Sequence, residues 1–221
     1  MSVLVQDILG AVASYINQDP TLPTGTDETM WINLINQSQN EWKDSYIWRK
    51  TLQTPYNPTV GASQTSLGLP GNFERLLSPV FDYSNGVDNP WRYFEIHPDE
   101  RFLHASTDKY IYITGDDVQG KAMIFNPTLS ASASISFDYL ATPSSLVTLN
   151  DTVTCPSPQF LTLRTISKIL SSRSDPRFTL VFENSNTLLG HMMDDEAAPT
   201  GGLDNTMVST LAKKGFRIGE S

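Results

Sequence analysis

The sequence predicts a protein of the α+β class. Apolar residues recur at helical spacing near both ends of the chain, whereas the middle has the alternation and turn signals of β-strands. We expect the terminal helices to pack as one bundle, with a small antiparallel β domain inserted between them and an extended tail at the C-terminus. The predicted segments are a helical hairpin at 1–55, a β domain at 56–150, C-terminal helices at 151–196 and a flexible docking tail at 197–221.

The first predicted helix runs from about Ser2 to Asn17. Apolar residues from Leu4 to Ile16 form one wide stripe along it. Ser2 is the expected N-cap, and Asp19-Pro20 is the expected stop, because a residue before proline avoids helical backbone angles.

The second predicted helix is longer, from about Asp27 to Lys50, with Thr26 as its cap. Core packing is the expected role of its aromatic residues, and a partner-binding face is the alternative. Its predicted inner face consists of Met30, Trp31, Leu34, Ile35, Ser38, Trp42, Ser45 and Tyr46.

The middle of the chain changes to a period of two. The segments 110–114 and 135–140 are rich in β-branched and aromatic residues, and Asn85-Gly86 and Gly115-Asp116 are turn signals. Pro98 is expected to start one helical turn that points Phe102 and Leu103 inward.

Two helices are expected to follow the β region. Ser157-Pro158 opens the first, and Asp175-Pro176 opens the second with proline at its first position. Gly201-Gly202 then predicts a hinge before the tail. The tail carries the predicted partner-binding residues, which are Met207, Val208, Leu211, Lys213, Lys214, Phe216 and Arg217.

A search for catalytic chemistry finds a partial phosphate-binding motif. Gly115, Gly120 and Lys121 match the glycine–lysine half of that motif after a predicted strand. Ala122 replaces the hydroxyl that should reach magnesium, and the acidic Asp116 would repel phosphate. A strand, a turn and a second strand are therefore expected instead of a nucleotide site.

The remaining reactive side chains form no recognisable site. Cys155 is the single cysteine and lies in a stretch made rigid by Pro156 and Pro158, so a structural role is expected. His97 and His104 share no helix face, and His191 precedes an acidic run that is read as a solvated helix end. No catalytic residue, cofactor or metal is expected. A hydrolase with an unrecognised carboxylate pair stays open as an alternative.

The net charge of the chain restricts the kinds of partner that it is expected to bind. The formal net charge is −9 and the isoelectric point about 4.7. Proteins that grip nucleic acid through phosphates are usually basic, so sequence-specific DNA binding is not expected. Neither a signal peptide nor a membrane span is expected, because no basic leader and no long apolar run is present.

Two segments resemble the head-to-tail adaptor (connector) proteins of tailed bacteriophages. A helix rich in Asn, Gln and Trp, between Thr26 and Trp48, comes before a stretch from Ser66 to Phe73 that contains Leu69-Pro70 and leads into a β region. The later run from Tyr93 to Pro98 and the helical C-terminal part also suit that pattern.

The resemblance implies a structural virion protein that is no enzyme. It implies a ring of about twelve copies whose head-to-tail interfaces join unlike patches. The implied partners are further copies of the chain, the portal protein, a tail or nozzle protein, and genomic double-stranded DNA passing through the lumen without sequence-specific binding. The implied place is the neck of the virion, and the host cytoplasm during assembly. Another tail or neck completion protein is the alternative.

Overall fold

The computed structural model describes residues 3–116, 118–129 and 132–197. The predicted α+β class is confirmed, with helices at both ends and a curled β-sheet inserted between them. The helices are α1 (Val5–Asn17), α2 (Thr26–Ser45), α3 (Pro158–Ser172) and α4 (Phe178–Ala197). The strands are β1 (Leu52–Tyr56), β2 (Thr59–Val60), β3 (Ser66–Gly68), β4 (Phe73–Leu76), β5 (Val80–Asp82), β6 (Trp91–Glu95), β7 (Tyr110–Asp116), β8 (Gly120–Asn126) and β9 (Ala133–Ala141).

The start of α1 differs from the prediction, whereas its end agrees with it. The helix begins at Val5, so Ser2 is not its N-cap. The Asp7 carboxylate accepts the Leu4 N–H at 3.0 Å and so satisfies an amide that the helix itself leaves free. The predicted end at Asn17 is confirmed, although the stop comes from Gln18 in the left-handed conformation with φ 57°.

The ends of α2 also differ. Thr26 is the first helical residue and follows Gly25, so it is not the cap. The helix ends at Ser45 rather than Lys50, because Tyr46 is extended at φ −161° and turns the chain so that Trp48 packs back on Trp42. The predicted start of the last helix is also too early, because α4 begins at Phe178 rather than at Pro176.

The helices enclose one apolar core. α3 lies at its centre and contacts α1, α2 and α4. The predicted packing role of Trp31 and Trp42 is confirmed, because both are buried. Met30 was expected to point inward but is 46% exposed, because it lies at the rim of the face that Trp31 centres.

Two amide side chains of α2 hold the segment between β9 and α3. Asn36 accepts the Leu146 N–H and donates to the Leu146 carbonyl, both at 2.8 Å. The Gln39 side chain, 1% exposed, accepts the Thr154 N–H at 2.7 Å. Sequence reasoning missed this role, although polar residues three apart beside an apolar face were the available signal. The Asn- and Gln-rich character of α2 therefore has a structural cause.

The sheet has the strand order β1-β9-β5-β6-β7-β8-β3, and β9 also pairs with β2 and β4. The described pairings are antiparallel except β6 with β7, which run parallel. The predicted domain is thus antiparallel with one parallel pair. The sheet is curled, so that the short segment 61–65 can connect β2, which pairs with β9 near one end, to β3 at the other end. A second apolar core fills the inside of the curl.

The Leu-Pro segment of the resemblance forms the turn that leads into β4. Phe73 donates its N–H to the Pro70 carbonyl at 2.9 Å, and its ring is buried in the sheet core. Asn72 accepts the Thr142 N–H at 2.7 Å through its carbonyl. These contacts explain why a proline and an aromatic residue stand three apart at this point.

The helical and sheet parts meet at the end of α2. The Lys43 ammonium donates to Glu74 of β4 at 2.9 Å, and the Ala141 N–H donates to the Thr51 carbonyl at 2.8 Å. The sheet is therefore attached beyond the end of α2, while the start of that helix lies about 30 Å away along its axis. Among the described residues, no helix combines the length and the apolarity that a membrane span needs.

Candidate assembly surfaces

The segment that resembles part of a phosphate-binding motif is a β-hairpin turn. β7 ends at Asp116 and β8 begins at Gly120, so the expectation of strand, turn and strand is confirmed. Gly115 has φ +92°, and a Cβ at this position would lie 2.1 Å from the Gly120 carbonyl oxygen. The first glycine of the apparent motif therefore serves a tight backbone approach.

The polar groups of this hairpin are already engaged. Asp116 Oδ1 accepts the N–H groups of Gln119 at 2.6 Å and Val118 at 2.9 Å. These hydrogen bonds lower the pKa of Asp116, which keeps a negative charge where a phosphate would have to sit. The Lys121 ammonium donates to the Phe73 carbonyl at 3.1 Å, so it ties β8 to β4.

The cysteine and the histidines each have a separate environment. Cys155 is 2% exposed, and burial raises the pKa of its thiol to about 12, which disfavours the nucleophilic thiolate. His97 accepts the Asp99 N–H through Nδ1 at 3.4 Å and so caps a 3₁₀ helix, Pro98–Leu103. His191 lies on α4. Residues 3–116, 118–129 and 132–197 contain no group of three or more His, Cys, Asp or Glu able to hold a metal ion.

The largest exposed apolar side chains of the sheet cluster around β6 and the 3₁₀ helix. Phe94 is 55% exposed, Phe102 79% and Leu103 83%. The predicted inward orientation of Phe102 and Leu103 is therefore wrong. The side chain that packs against this helix is Tyr110, which is 8% exposed and donates its hydroxyl to the Arg101 carbonyl at 3.5 Å. We call this surface the aromatic–arginine patch and define it as Arg92, Phe94, Arg101, Phe102 and Leu103.

Cations lie over the aromatic rings of the patch. The Arg92 guanidinium is 5.0 Å from the centroid of the Phe94 ring, and that of Arg101 is 4.6 Å from the Phe102 ring. Each pair combines a guanidinium and a ring in the manner of cation–π contacts. Arginine and aromatic residues are also the types most enriched where proteins bind each other. The patch therefore has the composition of an interface.

A buried carboxylate on β5 lies opposite Trp91 in the strand pairing. Asp82 is fully buried, and its Oδ1 accepts the Ser84 N–H at 2.8 Å. Burial, and then the charge of Asp82, raises the pKa of Tyr93 to about 12. The Lys109 ammonium lies 2.9 Å from the centroid of the Trp91 ring, and burial lowers its pKa. These contacts hold Trp91 in place at the rim of the sheet.

A second candidate surface is a groove in the helical bundle. It lies between the end of α1, the start of α2 and the end of α3, and its volume is about 430 Å³. We call it the acidic groove. Apolar and acidic residues line it together with one cation, namely Leu22, Pro23, Met30 and Trp31 with Asp19, Asp27 and Arg173.

The predicted partner-binding residues Met207, Val208, Leu211, Lys213, Lys214, Phe216 and Arg217 lie outside the described residues. The structure does describe the point at which that tail begins. The Arg49 guanidinium donates to the Glu196 carbonyl at 2.7 Å, and the Arg49 N–H donates to the Glu196 carboxylate. The end of α4 is therefore tied to the chain just beyond α2, where the sheet is attached.

One family model, described as SU10 adaptor protein, matches residues 4–172. The match spans α1, α2, the sheet and α3. No curated protein shows a significant match to the sequence. The family match confirms the resemblance to head-to-tail adaptor proteins of tailed bacteriophages that the second helix and the Leu-Pro segment indicated. Because the match covers well over half of its length, the chain belongs to the SU10 adaptor protein family.

Proposed function

We propose that the chain is one subunit of a head-to-tail adaptor ring that joins the portal to the tail of a bacteriophage virion. The family match over residues 4–172 is the observation that carries this proposal. The family is structural rather than enzymatic, and its members belong to the virion. In this role the chain binds further copies of itself, the portal on one side and a tail or nozzle protein on the other.

The ring has about twelve copies in this proposal, and unlike patches of neighbouring chains meet in it. The DNA channel runs through its centre. The net charge of −9 suits that position, because an acidic lumen repels DNA phosphates and keeps the genome from adhering during packaging and ejection. Assembly takes place in the host cytoplasm, and the finished ring occupies the neck of the virion.

The tail at 197–221 docks on the portal or on an adjacent subunit. Its segment 207–217 contains Lys213, Lys214 and Arg217 and no acidic residue, so it is locally cationic within an acidic protein. Apolar residues such as Leu211 and Phe216 accompany these charges. A short segment of this kind can add to a neighbouring surface and pair with acidic groups there.

Electron microscopy tests the proposal directly. The purified chain is mixed with the portal of the same phage, and class averages are compared with those of each protein alone. We expect an additional ring on one face of the portal, with the rotational symmetry of a closed assembly. A portal from an unrelated phage is the control and should stay bare. Density on the tail with none on the portal would favour a tail completion protein instead.

A further inference from the structure

The two surfaces of the chain are complementary in chemistry. The aromatic–arginine patch offers rings and guanidinium groups, and the acidic groove offers the carboxylates of Asp19 and Asp27 next to the apolar side chain of Met30. We propose that the patch of one copy docks in the acidic groove of the next copy, and that this contact closes the ring. The inference rests on the proposed function, and it names the two faces of the subunit interface.

The patch needs a partner because so much apolar surface is exposed on it. Phe102 and Leu103 are about four-fifths exposed, and they are neighbours in the chain. Large apolar side chains exposed side by side are unusual on a surface that faces only water. The guanidinium of Arg101 rests on the Phe102 ring and so presents a positive charge beside this apolar surface. The matching surface should therefore be both apolar and acidic.

The acidic groove meets both requirements. Met30 is 46% exposed in it, next to the buried Trp31. Hydrogen bonds from Thr21 to Oδ1 lower the pKa of Asp19, so that this carboxylate stays charged. Asp27 lies in the first turn of α2 and has no ion-pair partner within the described residues. Its carboxylate is thus available to an arginine from another chain.

The second groove of the bundle fits the patch less well. It lies between α2, α3 and α4, has a volume of about 390 Å³, and contains Glu41, Arg164 and Lys168. Arg164 and Lys168 both donate to the Glu41 carboxylate. The lining of this groove has two cations and one carboxylate, which Arg164 and Lys168 already neutralise. The lining of the acidic groove has two carboxylates and one cation, Arg173, so its net charge is opposite to that of Arg92 and Arg101.

The occupant of the acidic groove is a second copy because the two surfaces lie on different parts of the subunit, the groove on the helical bundle and the patch on the sheet. The groove lies at the start of α2, whereas the sheet is joined to the bundle beyond the end of that helix, about 30 Å away. Two unlike patches at different ends of a subunit are what a head-to-tail ring interface uses. Charge complementarity then favours contact of the aromatic–arginine patch with the acidic groove over contact of either surface with its own kind.

Reciprocal charge reversal tests the pairing. We expect Arg101→Glu and Asp27→Lys each to weaken ring formation on the portal by at least about tenfold, measured by sedimentation and electron microscopy. Combining both substitutions in one chain should restore the ring, because a glutamate in the patch then meets a lysine in the groove. An equal mixture of the two single variants should also form rings, in which the two chains alternate.

Matched controls separate this effect from a general change of charge. Arg75→Glu on β4 and Glu183→Lys on α4 reverse exposed charges outside both surfaces and should assemble as the wild type does. Melting curves of all variants check that each is folded. Phe102→Ser, which leaves every charge in place, should weaken the ring as well.

Each other outcome overturns the inference. If Arg101→Glu and Asp27→Lys assemble normally, or if the double variant stays defective, the patch and groove do not pair. If Arg101→Glu forms rings but no longer binds the tail protein, the patch faces the tail and the proposed function stands. If the wild-type chain forms no ring even with the portal, the proposed function itself is wrong.

Discussion

At the scale of single residues, two tryptophans determine how the helical bundle ends. Trp42 and Trp48 stack with ring centroids 5.1 Å apart, and both are 2% exposed or less. The Trp48 indole N–H donates to the Trp42 carbonyl at 2.6 Å, which satisfies a backbone group near the end of α2. The stacking of this pair accompanies the end of α2 and the turn of the chain toward β1.

Replacing Trp42 with alanine should therefore be strongly destabilising. We expect Trp42→Ala to lower the free energy of unfolding by about 3–5 kcal/mol, because it removes a large buried ring and leaves a cavity beside Trp48. Urea unfolding followed by circular dichroism measures this change. Trp91→Ala is the matched control: Trp91 is 41% exposed, so its loss should cost less than about 1 kcal/mol. Equal effects of the two substitutions would contradict the core position of Trp42.

At the scale of elements, α4 is the least buried helix of the bundle in the described part of the chain. Val181 and Ser185 are its buried residues over a length of 20 residues. Polar contacts supplement this packing. Arg164 of α3 donates to Ser185 at 3.2 Å and to Asn186 at 2.9 Å, and it also donates to Glu41 of α2. Arg164 thereby connects three helices through one guanidinium.

The Glu41 carboxylate should make the stability of this bundle depend on pH. Burial alone would raise the pKa of Glu41, but hydrogen bonds from Lys168 and Arg164 outweigh that effect and lower it. A lowered pKa in the folded state stabilises the fold above the unfolded value near 4.5, and this contribution disappears as the pH falls through the folded pKa.

Glu41→Gln should accordingly cost about 1 kcal/mol at pH 7, a figure kept small because the carboxylate is partly exposed to solvent. The difference from the wild type should shrink as the pH falls below about 4. Urea unfolding at several pH values measures both effects. Glu183→Gln, which removes an exposed carboxylate from α4, should show neither. A Glu41→Gln cost that stays constant down to pH 3 would mean that the charge of Glu41 is not involved.

At the scale of the whole molecule, residues 3–197 form two apolar cores in the described part of the chain, one in the helical bundle and one in the sheet. The contact of Arg49 with Glu196 places the beginning of the tail where the bundle and the sheet meet. A segment that starts at this junction can contact a partner without belonging to either core. Folding and docking should therefore be separable in this protein.

Truncation tests that separation. A chain cut after Ala198 should keep its circular dichroism spectrum and melt within a few degrees of the full chain. It should bind the portal far more weakly in a sedimentation assay, because it lacks the cations and apolar residues of 207–217. Replacing Lys213, Lys214 and Arg217 with alanine in the full chain is the matched control for charge. Unfolding of the truncated chain would place the tail in the core, and normal docking would make it dispensable.

The sequence alone determined the class of the fold and the strand, turn and strand between Tyr110 and Asn126. Helical spacing up to Asn17 and from Pro158 onward reflects local burial on one helix face, which periodicity reports well. The hairpin at Gly115 was predicted because turn chemistry is local too. The assignment of the family likewise depended on residues close in sequence, the Asn- and Gln-rich helix and the Leu-Pro segment that follows it.

Tertiary structure alone decided which apolar residues face a partner. Phe102 and Leu103 are of residue types common in cores, yet both are about four-fifths exposed, and Tyr110 is the buried residue that bonds to the 3₁₀ helix from the sheet. The hydrogen bond between Asn36 and Leu146 likewise joins residues that lie 110 positions apart in the sequence, so only the folded chain brings them together. Periodicity describes how one element distributes its side chains, whereas burial depends on what the rest of the chain places against that element. The patch and the groove therefore emerge only when distant segments are brought together.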